Sequence, residues 1–364
     1  MQGELARLLR PAGGGIHTVT TGRAAQRALQ RRLYGADDDA GVEAGWREAL
    51  GRASRARVLV LGVPCDTGAG LVRGQNLGPQ AIREAILAEA PAFFARQDVV
   101  DVGDVRVVPH LLHDEMVSDA TLASVRRALY GDTGEHLPVS PLSIAEHALS
   151  RLLEANPRAA VVVLGGDHSV AWPALRAIAR VAPPGAWGIV QPDAHTDLLP
   201  ERLGVRMTFA SWAYHANDLI GRGGRLVQVG IRASGSPRAH WEQTLGVRQF
   251  WADEVRALGE AAAIDAIVAH LRAVGVRAVY VSNDIDGTDP AEAPATAAAE
   301  PGGLSPAFVL ALIRALGEAF AILGGDVVEV APTLADADGS RRTCAIAASY
   351  VRAIVEAALR GSPR

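Results

Sequence analysis

The sequence predicts an α/β fold: a three-layer α/β/α sandwich around a mostly parallel sheet. Three observations predict it. Short β-branched runs are almost continuously apolar, as strands buried on both faces of a parallel sheet require. Longer segments with helical periodicity alternate with those runs. The chain has 364 residues, 49% of them hydrophobic, enough for a large core in one α/β domain or two smaller ones.

The elements follow in order. Residues 1–56 are rich in Arg and Ala, with helical fragments and a glycine break at residues 13–15. They read as an N-terminal helical extension, packed on the domain or partly mobile, ahead of a catalytic domain over residues 57–364. Strands are expected at 58–63, 160–164, 187–191, 226–231, 278–282 and 327–330. Helices are expected at 78–90, where a Pro falls in the first turn, and at 143–154, 171–179, 260–274, 305–316 and 342–359. Residues 109–141 break the rhythm and read as an insertion or lid.

Composition excludes several classes. Net charge is −4 and aromatics are 5%, and no Lys/Arg block is interleaved with aromatics, so no nucleic-acid footprint is present. Cys65 and Cys344 form neither a disulfide framework nor a CxxC pair. The start of the chain has no apolar stretch behind a basic one, and no apolar run approaches the roughly 18 residues of a membrane span. No membrane partner and a cytoplasmic location are the expectation.

Three predicted strand ends carry unusual side chains: Gly165-Gly166-Asp167-His168-Ser169, Pro192-Asp193-Ala194-His195-Thr196-Asp197 and Asn283-Asp284-Ile285-Asp286-Gly287-Thr288-Asp289-Pro290. In parallel sheets ligands bind beyond the carboxyl ends of the strands, so these clusters converge in one crevice. Two imidazoles and four carboxylates suit hard or borderline divalent cations, and that many carboxylates repel one another unless cations neutralise them. Alternation puts Asp193, His195 and Asp197 on one side of an extended segment, and Asp284 and Asp286 likewise. Singly, each has a plain structural explanation as a turn, a cap or a core histidine. Jointly, at three strand ends, they read as metal ligands.

Together with Asp326-Val327-Val328-Glu329-Val330, Gly62-Val63-Pro64-Cys65-Asp66, Arg73-Gly74 and Gly78-Pro79-Gln80-Ala81-Ile82-Arg83, these blocks resemble the signatures of the ureohydrolase (arginase/agmatinase) family, closer to agmatinase-like members. The resemblance runs from Arg57 to the C-terminal helix. It implies an arginase-like sandwich holding two Mn²⁺ ions per chain, with Co²⁺, Ni²⁺ or Fe²⁺ as alternatives. His168 and Asp197 would bind one ion, His195 and Asp286 the other, with Asp193 and Asp284 bridging. Two such ions, roughly 3.5–4 Å apart, activate water. Asp197 would aim it, and Glu329 would pair with a substrate guanidinium, giving urea and an amine. The resemblance also implies a small guanidino substrate and a homo-oligomer. Gly165 and Gly166 would allow the tight turn that brings His168 inward, Asp167 would orient a ligand, and Asp289-Pro290 would fix a turn.

The sequence departs from the family pattern twice. Family members carry a proton-shuttling His in the loop after the DAHxD block, and residues 198–212 contain none. His215 is the candidate substitute, with His240, Glu201 or water behind it. Arginases for free arginine also place an acidic residue after the Gly-Ile-Arg block, whereas Gly230-Ile231-Arg232 is followed by Ala233-Ser234-Gly235-Ser236-Pro237-Arg238. Met207-Thr208-Phe209-Ala210-Ser211-Trp212 gives an apolar edge, with Trp212 a candidate substrate contact, which suits a bulky substrate such as an arginyl side chain in a peptide. Rival readings are a non-catalytic or regulatory member, a single-zinc hydrolase on the related deacetylase-like fold, and a formimidoyl hydrolase.

Overall fold

The computed structural model describes residues 1–16, 20–70, 72–132, 134–183 and 185–361, so the last three residues of the expected 57–364 domain lie outside it. Its strands are β1 (Leu9–Arg10), β2 (Val58–Val63), β3 (Val99–Val105), β4 (Ala160–Gly165), β5 (Trp187–Pro192), β6 (Leu226–Ile231), β7 (Arg248–Trp251), β8 (Ala278–Asp284) and β9 (Ala321–Val328). They form one sheet in the order β1-β3-β2-β4-β9-β8-β5-β6-β7. Every pairing is parallel except β1 against β3.

The helices are α1 (Gln2–Leu8), α2 (Arg23–Tyr34), α3 (Asp39–Arg52), α4 (Gly78–Glu89), α5 (Asp119–Tyr130), α6 (Pro141–Ala155), α7 (Ala171–Ala179), α8 (Trp212–Leu219), α9 (Arg238–Leu245), α10 (Ala252–Leu258), α11 (Glu260–Ala273), α12 (Pro306–Ala319) and α13 (Ala337–Arg360). Alternation along the strands divides the apolar side chains between two cores. Leu59, Leu61, Val161, Val163, Ile189 and Tyr280 face α1, α3, α6, α7 and α8. Val58, Val60, Val162, Leu164, Val190, Val279 and Val281 face α4, α11, α12 and α13. Both faces are covered, so the strands read as apolar runs, and each fully buried Val or Leu contributes roughly 1.5–3 kcal/mol. This is the expected three-layer sandwich.

The differences have local causes. The last strand begins at Ala321, not 327, because Gly324 and Gly325 lie inside it and hide its apolar run. Gly324 has φ 151°, and a Cβ there would meet the Val161 carbonyl oxygen at 2.0 Å, so only glycine fits. The final helix begins at Ala337, since the Asp336 side chain accepts from Gly339 N. Strand β3 is not among the expected ones, because Asp101 and Asp104 interrupt Val99, Val100, Val102 and Val105. Residues 1–16 and 20–56 hold three helices and β1, which pairs with β3, so the extension packs on the sheet rather than lying loose. Within 109–141, α5 has no buried residue. Among the described residues, no helix is long and apolar enough to cross a membrane.

Candidate metal centre

The four central strands, in the order β4-β9-β8-β5, bring their carboxyl ends together, and each ends in one of the polar blocks. His168 opens a short 3-10 turn, His168–Val170, capped by Asp167, whose side chain accepts from Ser169 N at 2.9 Å and Gly68 N at 3.0 Å. Gly166 packs against the chain at Cys65, where a Cβ would lie 1.7 Å from the carbonyl oxygen. The crowding allows glycine alone and turns His168 inward. Burial is the main reason that the Asp167 carboxyl titrates high, at about 6.

His168 Nδ1 lies 3.3 Å from Asp193 Oδ2, 3.2 Å from Asp197 Oδ2 and 3.1 Å from Asp284 Oδ2. It is buried and hydrogen bonds to none of them. The second imidazole, His195, places Nδ1 3.0 Å from Asp286 Oδ2 and 3.7 Å from Asp193 Oδ1. Among the described residues two groups can hold a metal ion: His168, Asp193 and Asp284, and Asp193, His195 and Asp286. Asp193 belongs to both. Asp284 joins only the His168 group, its Oδ1 accepting from Asp286 N at 2.8 Å. Asp197 stands beside His168 but belongs to neither group. An unpartnered imidazole nitrogen ringed by carboxylate oxygens is a donor set that fits a divalent cation.

The electrostatics agree. Burial, then Asp197 and Asp286, push the Asp193 carboxyl up to about 7. Burial, then Asp286 and Asp193, also raise Asp284. Burial alone would lower both imidazoles, but the surrounding carboxylates raise His168 well above its usual range and His195 to about 10. Without cations, protons must crowd into the cluster to reduce its negative charge.

Two non-glycine residues hold left-handed backbone here: Asp197 at φ 50° and Glu329 at φ 62°. Such strain persists only where neighbours enforce it. Asp197 Oδ2 accepts from the Trp212 indole at 2.9 Å, and that ring lies 4.5 Å from the His168 ring. Trp212, expected at an apolar substrate edge, is completely buried, with its indole turned towards Asp197. Glu329 Oε1 accepts from His168 N and Oε2 from Gln75 Nε2, both at 2.8 Å. Burial, then Asp167, push its carboxyl up to about 8.

The substitute proton shuttles fare differently. His215 Nε2 bonds the Pro200 carbonyl at 3.0 Å, and its ring packs against Trp172 and Tyr214. Burial, then Arg206, hold its pKa low. Glu201 and His240 are exposed. Three partners to which the sequence reading gave no role stand behind His168: Ser282 Oγ lies 3.0 Å from His168 Nε2 and from Asp326, which also accepts from the Tyr280 hydroxyl at 2.9 Å. The period of two that singled out Asp284 also passes through Ser282 and Tyr280. Glu300 was missed as well; its carboxylate lies 4.0 Å from His195 Nε2, brought there from a distant loop. Residues drawn from 67–70, 110–112, 116–118, 121 and the 202–209 stretch line a cavity of about 600 Å³, which includes none of the cluster's own side chains. It joins the insertion to the loop after β5.

Fold and site together define a protein of the α/β/α class with a His/Asp cluster able to bind metal. Residues 56–356 match the family model described as "Arginase family". The chain belongs to the arginase family, hydrolases acting on carbon–nitrogen bonds. It is 36% identical to proclavaminate amidinohydrolase of Streptomyces clavuligerus over 287 residues, 76% of this chain and 80% of that protein. The solved structure of that enzyme superposes with a TM-score of 0.66 at 32% identity, covering 84% of this chain and 93% of that one. Identity is 34% over 222 residues to formimidoylglutamase of Halalkalibacterium halodurans, 59% of this chain and 68% of that protein. It is 30% over 303 residues to agmatinase of Bacillus cereus, 82% of this chain and 90% of that protein.

Proposed function

We propose that the chain is a binuclear manganese amidinohydrolase that hydrolyses a guanidino C–N bond, giving urea and an amine. The observation that carries this is the buried His168 Nδ1, unpartnered amid three carboxylates, next to a second His/Asp group that shares Asp193. His168, Asp193, His195, Asp197, Asp284 and Asp286 would hold the ions. A divalent pair in such a site lowers the pKa of water towards neutrality and supplies a nucleophile.

The chain's own groups do the rest. Asp197, steadied by Trp212, orients the attacking water. Glu329, held by His168 N and Gln75, presents its carboxylate to the planar guanidinium. Water replaces the amine at the guanidinium carbon, and the departing amine takes up a proton. With His215 tied to Pro200, the proton reaches the amine through water. The cavity between the insertion and the loop after β5 is in the size range of small-molecule sites, and Thr208 and Phe209 of the apolar stretch line it, which supports a guanidino compound bulkier than agmatine, an arginyl side chain of a peptide among them. The same reading places the protein in the cytoplasm as a homo-oligomer.

Urea release by the Mn²⁺-loaded protein tests this against agmatine, arginine, guanidinobutyrate, guanidinopropionate, guanidine and arginyl peptides. Metal-dependent urea from one compound, lost in Asp193→Ala, is the expected result. Silence across the panel with metal bound would defeat guanidino hydrolysis. The similarity to a formimidoylglutamase supports a second reading, release of formamide from a formimidoyl compound, which the same assay checks with that substrate added.

A further inference from the structure

Behind Asp193, on the side away from His168, three strands carry a buried row of glutamines. Gln191 on β5 pairs in register with Gln228 on β6, and Gln228 with Gln249 on β7. All three are fully buried. Their amides form one continuous chain. Trp251 Nε1 donates to Gln249 Oε1 at 2.9 Å, and Gln249 Nε2 to Gln228 Oε1 at 2.7 Å. Gln228 Nε2 donates to Gln191 Oε1 at 2.8 Å, and Gln191 Nε2 to Asp193 Oδ2 at 2.7 Å.

The two ends fix the direction of this chain. An indole N–H can only donate and a carboxylate can only accept, so every amide between them must point its NH₂ towards Asp193. Aligned hydrogen bonds polarise one another in a dry interior, and here the polarity ends on the carboxylate that both metal groups share. Gln228 does a second thing: its Nε2 also donates to the Thr196 carbonyl at 2.6 Å. Thr196 directly precedes Asp197, whose left-handed backbone needs outside support. Gln228 therefore reaches the segment that carries Asp193, His195 and Asp197 at two points, at Thr196 directly and at Asp193 through Gln191.

We propose that Gln191, Gln228 and Gln249 are positioning residues of the metal centre: a one-way amide chain, running from the edge strand to Asp193 and Thr196, that sets the ligand segment for cation binding. Partners behind metal ligands typically change affinity by roughly 10–100-fold when removed. An in-register glutamine row can also serve the sheet alone, and the experiment separates the two roles. The inference rests on the reading of the cluster as a metal centre.

The experiment measures Mn²⁺ affinity by calorimetry, with melting temperature alongside, for Gln191→Met, Gln228→Met, Gln249→Met and the Gln228→Met/Gln249→Met double variant. Gln191→Met is expected to weaken Mn²⁺ binding by roughly 10–100-fold, and Gln249→Met, the mildest change and the one at the edge, by less than tenfold. In the Gln228→Met background, Gln249→Met should have no further effect on affinity, because the chain is already cut. Wild-type affinity in Gln191→Met and Gln249→Met, whatever the melting temperatures, overturns the proposal, as does an undiminished Gln249→Met effect in the double variant. If the wild-type protein binds no divalent cation, it is the metal-centre reading that fails. The metal-free crystal structure of Gln228→Met then decides the positioning role: a displaced Thr196 carbonyl and Asp193 carboxylate uphold it, and unmoved atoms overturn it.

Discussion

Two groups of buried carboxylates in this protein are neutralised in different ways. Asp101 and Asp104 on β3 share the Arg83 guanidinium of α4, with Nε 2.7 Å from Asp101 and Nη1 2.5 Å from Asp104. Arg83 also donates to the Gly103 carbonyl, and Asp104 accepts from Gly13 N at 2.7 Å. Every oxygen has a partner from within the chain. Asp193, Asp197, Asp284 and Asp286 have no such cation. Arg232 is close by, but its guanidinium is committed to the carbonyls of Gly230, Asp286, Gly287 and Glu300. Only the imidazoles of His168 and His195 approach those carboxylates within ion-pair distance among the described residues. The first cluster is matched by a guanidinium that bonds its oxygens directly; the second meets only imidazoles, and its donor set is one that fits a divalent cation.

The largest expected effect breaks the matched cluster. Arg83→Met strands two buried carboxylates and should cost about 3–5 kcal/mol, read as a fall in urea midpoint at constant slope. An unchanged midpoint would mean that Arg83 does not hold the N-terminal arm and β3 together.

The next sharpens the contrast. At a hundredfold excess over its dissociation constant, Mn²⁺ should stabilise the wild-type protein by about 2.7 kcal/mol, with no gain in Asp193→Ala. In the metal-free protein, Asp284→Asn should raise the melting temperature by removing a carboxyl that burial and its neighbours make costly to ionise, while Asp101→Asn should lower it. Equal shifts of the same sign would erase the distinction.

The smallest effect concerns a pair at the surface. Glu4 of α1 meets His147 at 2.6 Å and Arg151 at 3.2 Å on α6. Burial would raise its carboxyl, but those partners outweigh it and hold it below the usual carboxylate range. A lowered carboxyl contributes stability above its unfolded value, and that contribution fades as pH falls through the folded one. The loss is about 1 kcal/mol or less. It should appear below about pH 4.5, a carboxylate's ordinary range, as faster amide exchange in residues 2–8; Glu4→Gln should show no such pH dependence.

Much of the site was legible in the sequence because its residues sit in short local blocks. Asp193, His195 and Asp197 follow one strand, and Asp284 and Asp286 another. Glu300 and Gln249 carry no such local sign, since each reaches the centre from a separate loop or strand. Strand β3 was hidden for the same reason: Asp101 and Asp104 read as surface charges until Arg83, 18 residues from Asp101 in sequence, is seen to bury them. Trp212 looked like a substrate edge from its apolar neighbours, and only packing shows its indole turned towards Asp197.

The sequence by itself determined the layered α/β plan, through apolar runs alternating with helical periods, and pointed to the His and Asp side chains that gather into one cluster, through their positions at strand ends. Tertiary structure alone decided how charges pair, which amide faces which carboxylate and which oxygen Asp193 offers to each group. Those depend on strand order and register, which bring Gln249 and Asp193 into one hydrogen-bonded chain although neither segment's local pattern mentions the other.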